Sequence, residues 1–110
     1  MQIGIDVGAT KIESVVLDEK GNESNRERTD CPKDYFQIVK TIKEIDKKLE
    51  KRFNKELPIG VCHPGVHSPQ TGLVKNAPNC YWLEKKPFQN DLRKESVSYT
   101  HLTLPTIALV

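Results

Sequence analysis

The first eleven residues restrict this chain more than any other stretch. Ile3, Ile5 and Val7 alternate with Gly4, Asp6 and Gly8, a period of two that sets the apolar side chains on one face of a strand and the acid on the other. Such a strand needs a core beneath it. Gly8 and Ala9 then let the backbone turn tightly, with Thr10 and Lys11 directly after. A turn of this composition can bring backbone N–H groups against phosphate oxygens, Asp6 can hold a hydrated magnesium ion, and Thr10 and Lys11 can add contacts. We therefore expect a phosphate-handling turn built from Asp6, Gly8, Ala9, Thr10 and Lys11. An acid closing an apolar strand is costly to bury unpaired, which favours a functional Asp6 over a structural one.

The 110 residues are enough for one small domain or part of a larger one, and a chain of this size buries only about two-thirds of its unfolded surface. The 17 basic and 15 acidic side chains leave a formal charge of +2, without a long basic run or interleaved aromatics. A nucleic-acid partner is not expected. Cys31, Cys62 and Cys80 are odd in number and widely spaced, which argues against a disulfide framework and fits a reducing compartment. No stretch approaches the ~18 apolar residues of a membrane span, and no charged-then-apolar leader opens the chain. The expectation is a cytoplasmic protein without a membrane partner.

After the turn, residues 12–17 read as a second strand. The Asp18-Glu19-Lys20-Gly21-Asn22 turn leads to a polar third strand over 23–29, expected at a sheet edge. Asp34 followed by Gln37 resembles a capping box. Ile38, Val39, Ile42, Ile45, Leu49 and Phe53 then recur at helical spacing, with lysines and glutamates between them. That charged face reads as a solvated helix surface rather than an anion site. Residues 57–62 are a short apolar run, expected as a buried strand returning to the sheet. Pro64 and Gly65 end it and expose backbone at its carboxyl end, where open sheets place ligands. Residues 68–72 form a surface turn before a short strand over 73–75, and 76–79 are irregular and polar. Cys62, His63 and His67 suggest zinc, but Pro64-Gly65 prevents the helix that would align the two histidines and no fourth ligand is near. No zinc site is expected within the chain.

Residues 96–110 contain no Asp, Glu, Lys or Arg, after a segment dense in charge of both signs. Residues 97–106 look like a translated transposon-type sequencing adapter, so 96–110 are expected to be a non-native tail, and Tyr99 and His101 to carry no chemistry.

Four ordered segments carry a family resemblance: Ile3-Gly4-Ile5-Asp6-Val7-Gly8-Ala9-Thr10-Lys11; Gly60-Val61-Cys62-His63-Pro64-Gly65; Thr71-Gly72-Leu73-Val74-Lys75-Asn76-Ala77-Pro78-Asn79; and Trp82-Leu83 through Pro87-Phe88. Together, over about residues 1–95, they resemble the ROK family of sugar kinases and regulators, and most closely its fructokinase-like members. The resemblance implies an actin-like, ribonuclease-H-like α/β fold of two lobes, of which residues 1–95 would be most of the first. It also implies ATP and magnesium between the lobes, and phosphoryl transfer to a hexose, fructose to fructose 6-phosphate first. A glucokinase, an N-acetylhexosamine kinase or a sugar-responsive transcriptional regulator of the same family are the alternatives. Carried over by position, Asp6, Gly8, Thr10 and Lys11 fall on the phosphate motif. Gly65, Val66, Asn76 and Asn79 fall where members contact sugar, with Asn79 the expected principal ligand because its amide both donates and accepts.

Three departures stand out. Ala9 replaces a second glycine, which is tolerable only at negative φ. Cys62-His63 stands where a glycine and an aliphatic residue are usual. The family's catalytic aspartate belongs to an Asn-Asp pair expected beyond Glu95, and no residue here fills that role. A missing base of this kind costs about 100- to 10,000-fold, so the chain by itself is expected to be inactive. The family's structural zinc and its homo-oligomer contacts would likewise involve residues outside this chain.

Overall fold

The computed structural model describes residues 1–77, 80–95 and 99–103. Strands β1 (Gln2–Val7), β2 (Lys11–Leu17) and β3 (Glu23–Asp30) form an antiparallel meander, with Val7 opposite Ile12 and Lys11 opposite Asp30. Strand β4 (Ile59–Cys62) then joins the other side of β1 in parallel, and β7 (Tyr99–Thr103) pairs in parallel with β4. The sheet order is β3-β2-β1-β4-β7, so the polar third strand does lie at an edge. β7 comes from the segment that composition sets apart from the rest. Two short strands, β5 (Val66–His67) and β6 (Val74–Lys75), form a separate hairpin.

Helix α1 (Tyr35–Phe53) starts where Asp34 accepts a hydrogen bond from the Gln37 N–H at 3.0 Å, which satisfies one of the first turn's orphan donors. It ends at Asn54 in the left-handed conformation, φ 55°, with Lys51 and Arg52 in the last turn favourably placed against the helix dipole. Its apolar stripe, with Ile38, Val39, Ile42 and Leu49 buried, belongs to one core with Ile3, Ile5, Val7, Ile12, Val16, Ile59 and Val61. The same core includes Leu83 on a short 3-10 turn (Tyr81–Leu83), and Phe88 and Leu92 on helix α2 (Phe88–Glu95). The period-two alternation in β1 thus decides which sheet face α1 covers, and leaves Gly4 and Asp6 on the other face. No helix among the described residues is long and apolar enough to cross a membrane.

Sequence patterning missed β5, the 3-10 turn and α2. A two-residue strand shows no alternation, and α2 offers only Phe88 and Leu92 as an apolar stripe. The helix-start signal was nevertheless present: Pro87 at the entrance, Asp91 in the first turn, and Arg93 and Lys94 in the last.

Candidate functional site

The parallel pairing of β1 and β4 sets Asp6 beside Cys62, so the turn after β1 and the loop after β4 leave the sheet at the same edge, about 5 Å apart at their roots. That is where open sheets bind ligands. β7 runs parallel to β4 with Thr103 beside Cys62, and so ends on this edge too.

The first loop is the turn between β1 and β2. The Gly8 N–H donates to the Lys11 carbonyl at 2.8 Å, closing the turn. A Cβ on Gly8 would sit 3.0 Å from that same oxygen, so glycine permits the closure. Its amide is therefore engaged inside the turn rather than offered outward. Ala9 is absent from the positive-φ residues, and the loss of the second glycine costs no backbone strain. The Thr10 carbonyl accepts from the Cys31 N–H at 2.8 Å, which ties the turn to the end of β3. Lys11 is the first residue of β2 and its Nζ pairs with exposed Asp30. Any phosphate contact by Lys11 has to compete with that carboxylate.

Asp6 is half-buried and sits directly opposite Glu13 of β2. Burial first, and the Glu13 charge second, push its carboxyl above the ordinary range. Glu13 is itself held by Arg26 and Arg28 from the edge strand. Counting outward from the turn, 7 against 12 and 6 against 13, would have found this pair in the sequence. An acid kept near a second acid gains from a cation, and hard oxygen donors of this kind suit magnesium.

The second loop brings the sugar-assigned segments together. Gly65 adopts φ +80°, and a Cβ there would meet the Lys75 carbonyl oxygen at 2.5 Å and the Ala77 Cβ at 3.1 Å. Gly65 and Asn76 are thus packed against each other through the β5–β6 hairpin, where Val66 pairs with Lys75. Asn76 is exposed and left-handed, φ 61°. The Ala77 N–H donates to Glu84 Oε1 at 2.9 Å, and the Cys80 N–H returns to the Ala77 carbonyl at 3.1 Å. Asn79 lies outside the described residues. Trp82 is buried in the core, so it packs beneath the loop.

His63 and His67, which no helix aligns, meet all the same. The turn at Gly65 brings their rings edge to face at 4.9 Å, and His63 also packs edge-on against Phe88 at 5.4 Å. His63 is 2% exposed and its Nδ1–H donates to the Pro64 carbonyl at 2.7 Å. Among the described residues no group of three or more His, Cys, Asp or Glu side chains is placed to hold a metal ion. The Cys80 thiol, buried near Cys31, is pushed up to about 12 and stays protonated.

The ROK family model matches residues 2–102. N-acetyl-D-glucosamine kinase from Haemophilus influenzae is 33% identical over 93 residues, 84% of this chain and 30% of that protein. The enzyme of that name from Vibrio atlanticus is 37% identical over 95 residues, again 84% and 30%. The chain thus spans about a third of the length of these relatives. Among solved structures, a ROK hexokinase from Thermus thermophilus superposes with a TM-score of 0.77 at 21% identity, over 94% of this chain and 34% of that one. A ROK glucokinase from Streptomyces griseus, solved with glucose and AMPPNP, gives 0.74 at 22% identity, over 94% and 32%. At those identities the likeness speaks for the fold, which is that of the actin-like α/β ATPases. The chain is a member of the ROK family and forms part of its fold.

Proposed function

We propose that this chain carries the phosphate turn and part of the sugar loop of an ATP-dependent hexose kinase whose substrate is an N-acetylhexosamine, N-acetyl-D-glucosamine first. The observation that carries the reading is the shared edge: the Asp6 turn and the Gly65–Asn76 loop rise side by side from β1 and β4. The curated relatives' names favour the amino sugar over fructose, to which the sequence segments 71–79 and 82–88 point by resemblance. A transcriptional regulator shares the fold at 11% identity, and so does not discriminate.

Each residue then has a task. Asp6 holds magnesium through water, and its raised proton affinity is relieved once the cation is present. Ala9, Thr10 and Lys11 face the phosphates, while Gly8 shapes the turn. Gly65, Val66, Asn76 and Asn79 contact the sugar, the amides reading hydroxyl orientation by donating and accepting together. ATP supplies the phosphoryl group when bound. Positioning and charge neutralisation do most of the work in such a transfer, and the proton of the attacking hydroxyl needs an acceptor; the Asn-Asp pair that would supply it has no counterpart among residues 96–110.

The test is titration of the isotope-labelled chain with N-acetyl-D-glucosamine and, separately, fructose, read at the backbone amides of Gly65, Val66 and Asn76. Shifts with the amino sugar alone are expected. Shifts with fructose alone return the fructokinase assignment, and silence with both to beyond about 10 mM overturns the sugar-loop reading.

A further inference from the structure

Helix α2 has an unusual entrance. The Asp91 N–H donates to the Pro87 carbonyl at 2.9 Å, which makes Pro87 the capping position. Proline has no side-chain acceptor, so the orphan donors of the first turn need one from elsewhere. The Gln89 N–H, second in the helix, donates to His67 Nε2 at 3.2 Å across 22 positions of sequence. A remote imidazole does what a serine or aspartate normally does locally. An Nε2 that accepts must be unprotonated, so His67 is held neutral with its proton on Nδ1.

His67 belongs to β5 and is opposite Val74 of β6. That hairpin is the element that packs Gly65 against Asn76. It is bonded on its other side as well: the Val74 N–H donates to the Lys86 carbonyl at 3.0 Å, and the Lys85 N–H returns to the Val74 carbonyl at 2.7 Å. Lys86 directly precedes the capping proline. The hairpin and the start of α2 are therefore joined at two points, and one of them is an imidazole.

We propose that His67 is a positioning residue for the sugar loop: its neutral imidazole caps α2 and so locks the β5–β6 hairpin in the arrangement that places Gly65 and Asn76 together. The role in sugar binding rests on the kinase reading, whereas the coupling of α2 to the hairpin does not. The charged and titratable groups facing His67 are His63, at the end of β4, and Arg93, on α2. Burial first, then His63, then Arg93, push its proton affinity down from the ordinary 6.5 to about 4. A protonated His67 loses its acceptor and sets a cation at a helix N-terminus, next to a guanidinium. The unfolded chain takes up this proton before the folded one as the pH falls. The lock is complete above about pH 6.5 and is lost progressively toward 4.

The experiment is amide hydrogen exchange, read by NMR, on the whole chain with His67→Leu and His67→Gln. In the leucine variant, exchange at Gln89 rises about tenfold or more, and the bonded loop amides of Ser68, Val74 and Ala77 rise with it. In the glutamine variant, whose side-chain oxygen can accept from Gln89 but does not titrate, all four return toward wild-type protection. Between pH 6.5 and 4, exchange corrected for its intrinsic pH dependence accelerates at Gln89, Ser68 and Val74 in wild type and stays flat there in His67→Gln; Ala77, bonded to the Glu84 carboxylate, is left out of this comparison. Loss of protection at Gln89 alone, with the loop amides unmoved, overturns the proposal. So does an acid response in His67→Gln that equals wild type, and that comparison decides the matter if the leucine variant does not fold. N-acetyl-D-glucosamine titrated into both folded proteins keeps the two readings separate. Silence in wild type sinks the sugar assignment and leaves exchange to judge the coupling, whereas equal sugar affinity in wild type and a folded His67→Leu sinks the positioning role.

Discussion

Gly65→Ala tests the sugar loop at its tightest point. The backbone there is left-handed, φ +80°, which an alanine adopts at a cost of about 1 to 2 kcal/mol. The added Cβ would also lie 2.5 Å from the Lys75 carbonyl oxygen, where even a close carbon–oxygen contact needs about 3.3 Å. The obstacle is backbone, fixed by the β5–β6 pairing, and the Ala77 Cβ at 3.1 Å blocks the sideways escape. Overpacking of this kind costs about 1 to 3 kcal/mol. The sum, about 2 to 5 kcal/mol, is a large part of the 5 to 15 kcal/mol typical of a small domain. Gly21→Ala is the internal control, since Gly21 has φ +82° but nothing within 4 Å of its Cβ. It bears the backbone term alone. Gly60→Ala, with ordinary φ and open space, should be neutral or slightly stabilising. Urea unfolding followed by circular dichroism should place the Gly65→Ala midpoint about 1 to 2 M below that of Gly21→Ala. Coincident midpoints for the two variants would refute the close approach of Gly65 to the Asn76 segment, and with it the assembled loop.

Two further outcomes follow from the site and its supports. Asp6→Asn should make the chain more stable at neutral pH and weaken magnesium binding. The folded carboxyl holds its proton more tightly than the unfolded one, so ionisation on raising the pH costs stability that an amide does not lose; a variant less stable than wild type across the neutral range in thermal melts would overturn this. Asp34→Ala removes the cap on α1 and should cost about 1 kcal/mol by urea unfolding, with the helix start fraying in amide exchange at Gln37; unchanged stability would show that the first turn is held by packing instead.

Much of the scaffold was legible because its signals are local. The alternation of Ile3, Ile5 and Val7 marked β1, and Asp34 with the spacing of Ile38, Ile42 and Leu49 marked α1. Each strand and helix needs only its own neighbours to show a period. His67 and Glu13 escaped that reading for opposite reasons. Glu13 was within reach, since the turn at Gly8 sets the register and places it across from Asp6. His67 was not, because its partner is a backbone amide 22 residues away, and backbone amides leave no trace in composition.

By itself the sequence determined the β1 turn, the helix that covers one face of the sheet, the break at Pro64-Gly65 and, through four ordered motifs, the family. All of these depend on dihedral preferences and side-chain periodicity over a few residues. Only the tertiary structure decided that Gly65 abuts Asn76, that the Gly8 amide is engaged within its own turn, and that an imidazole caps α2. Those facts follow from register and from close packing between elements distant in the chain, where a contact depends on where two backbones meet rather than on what either segment prefers alone.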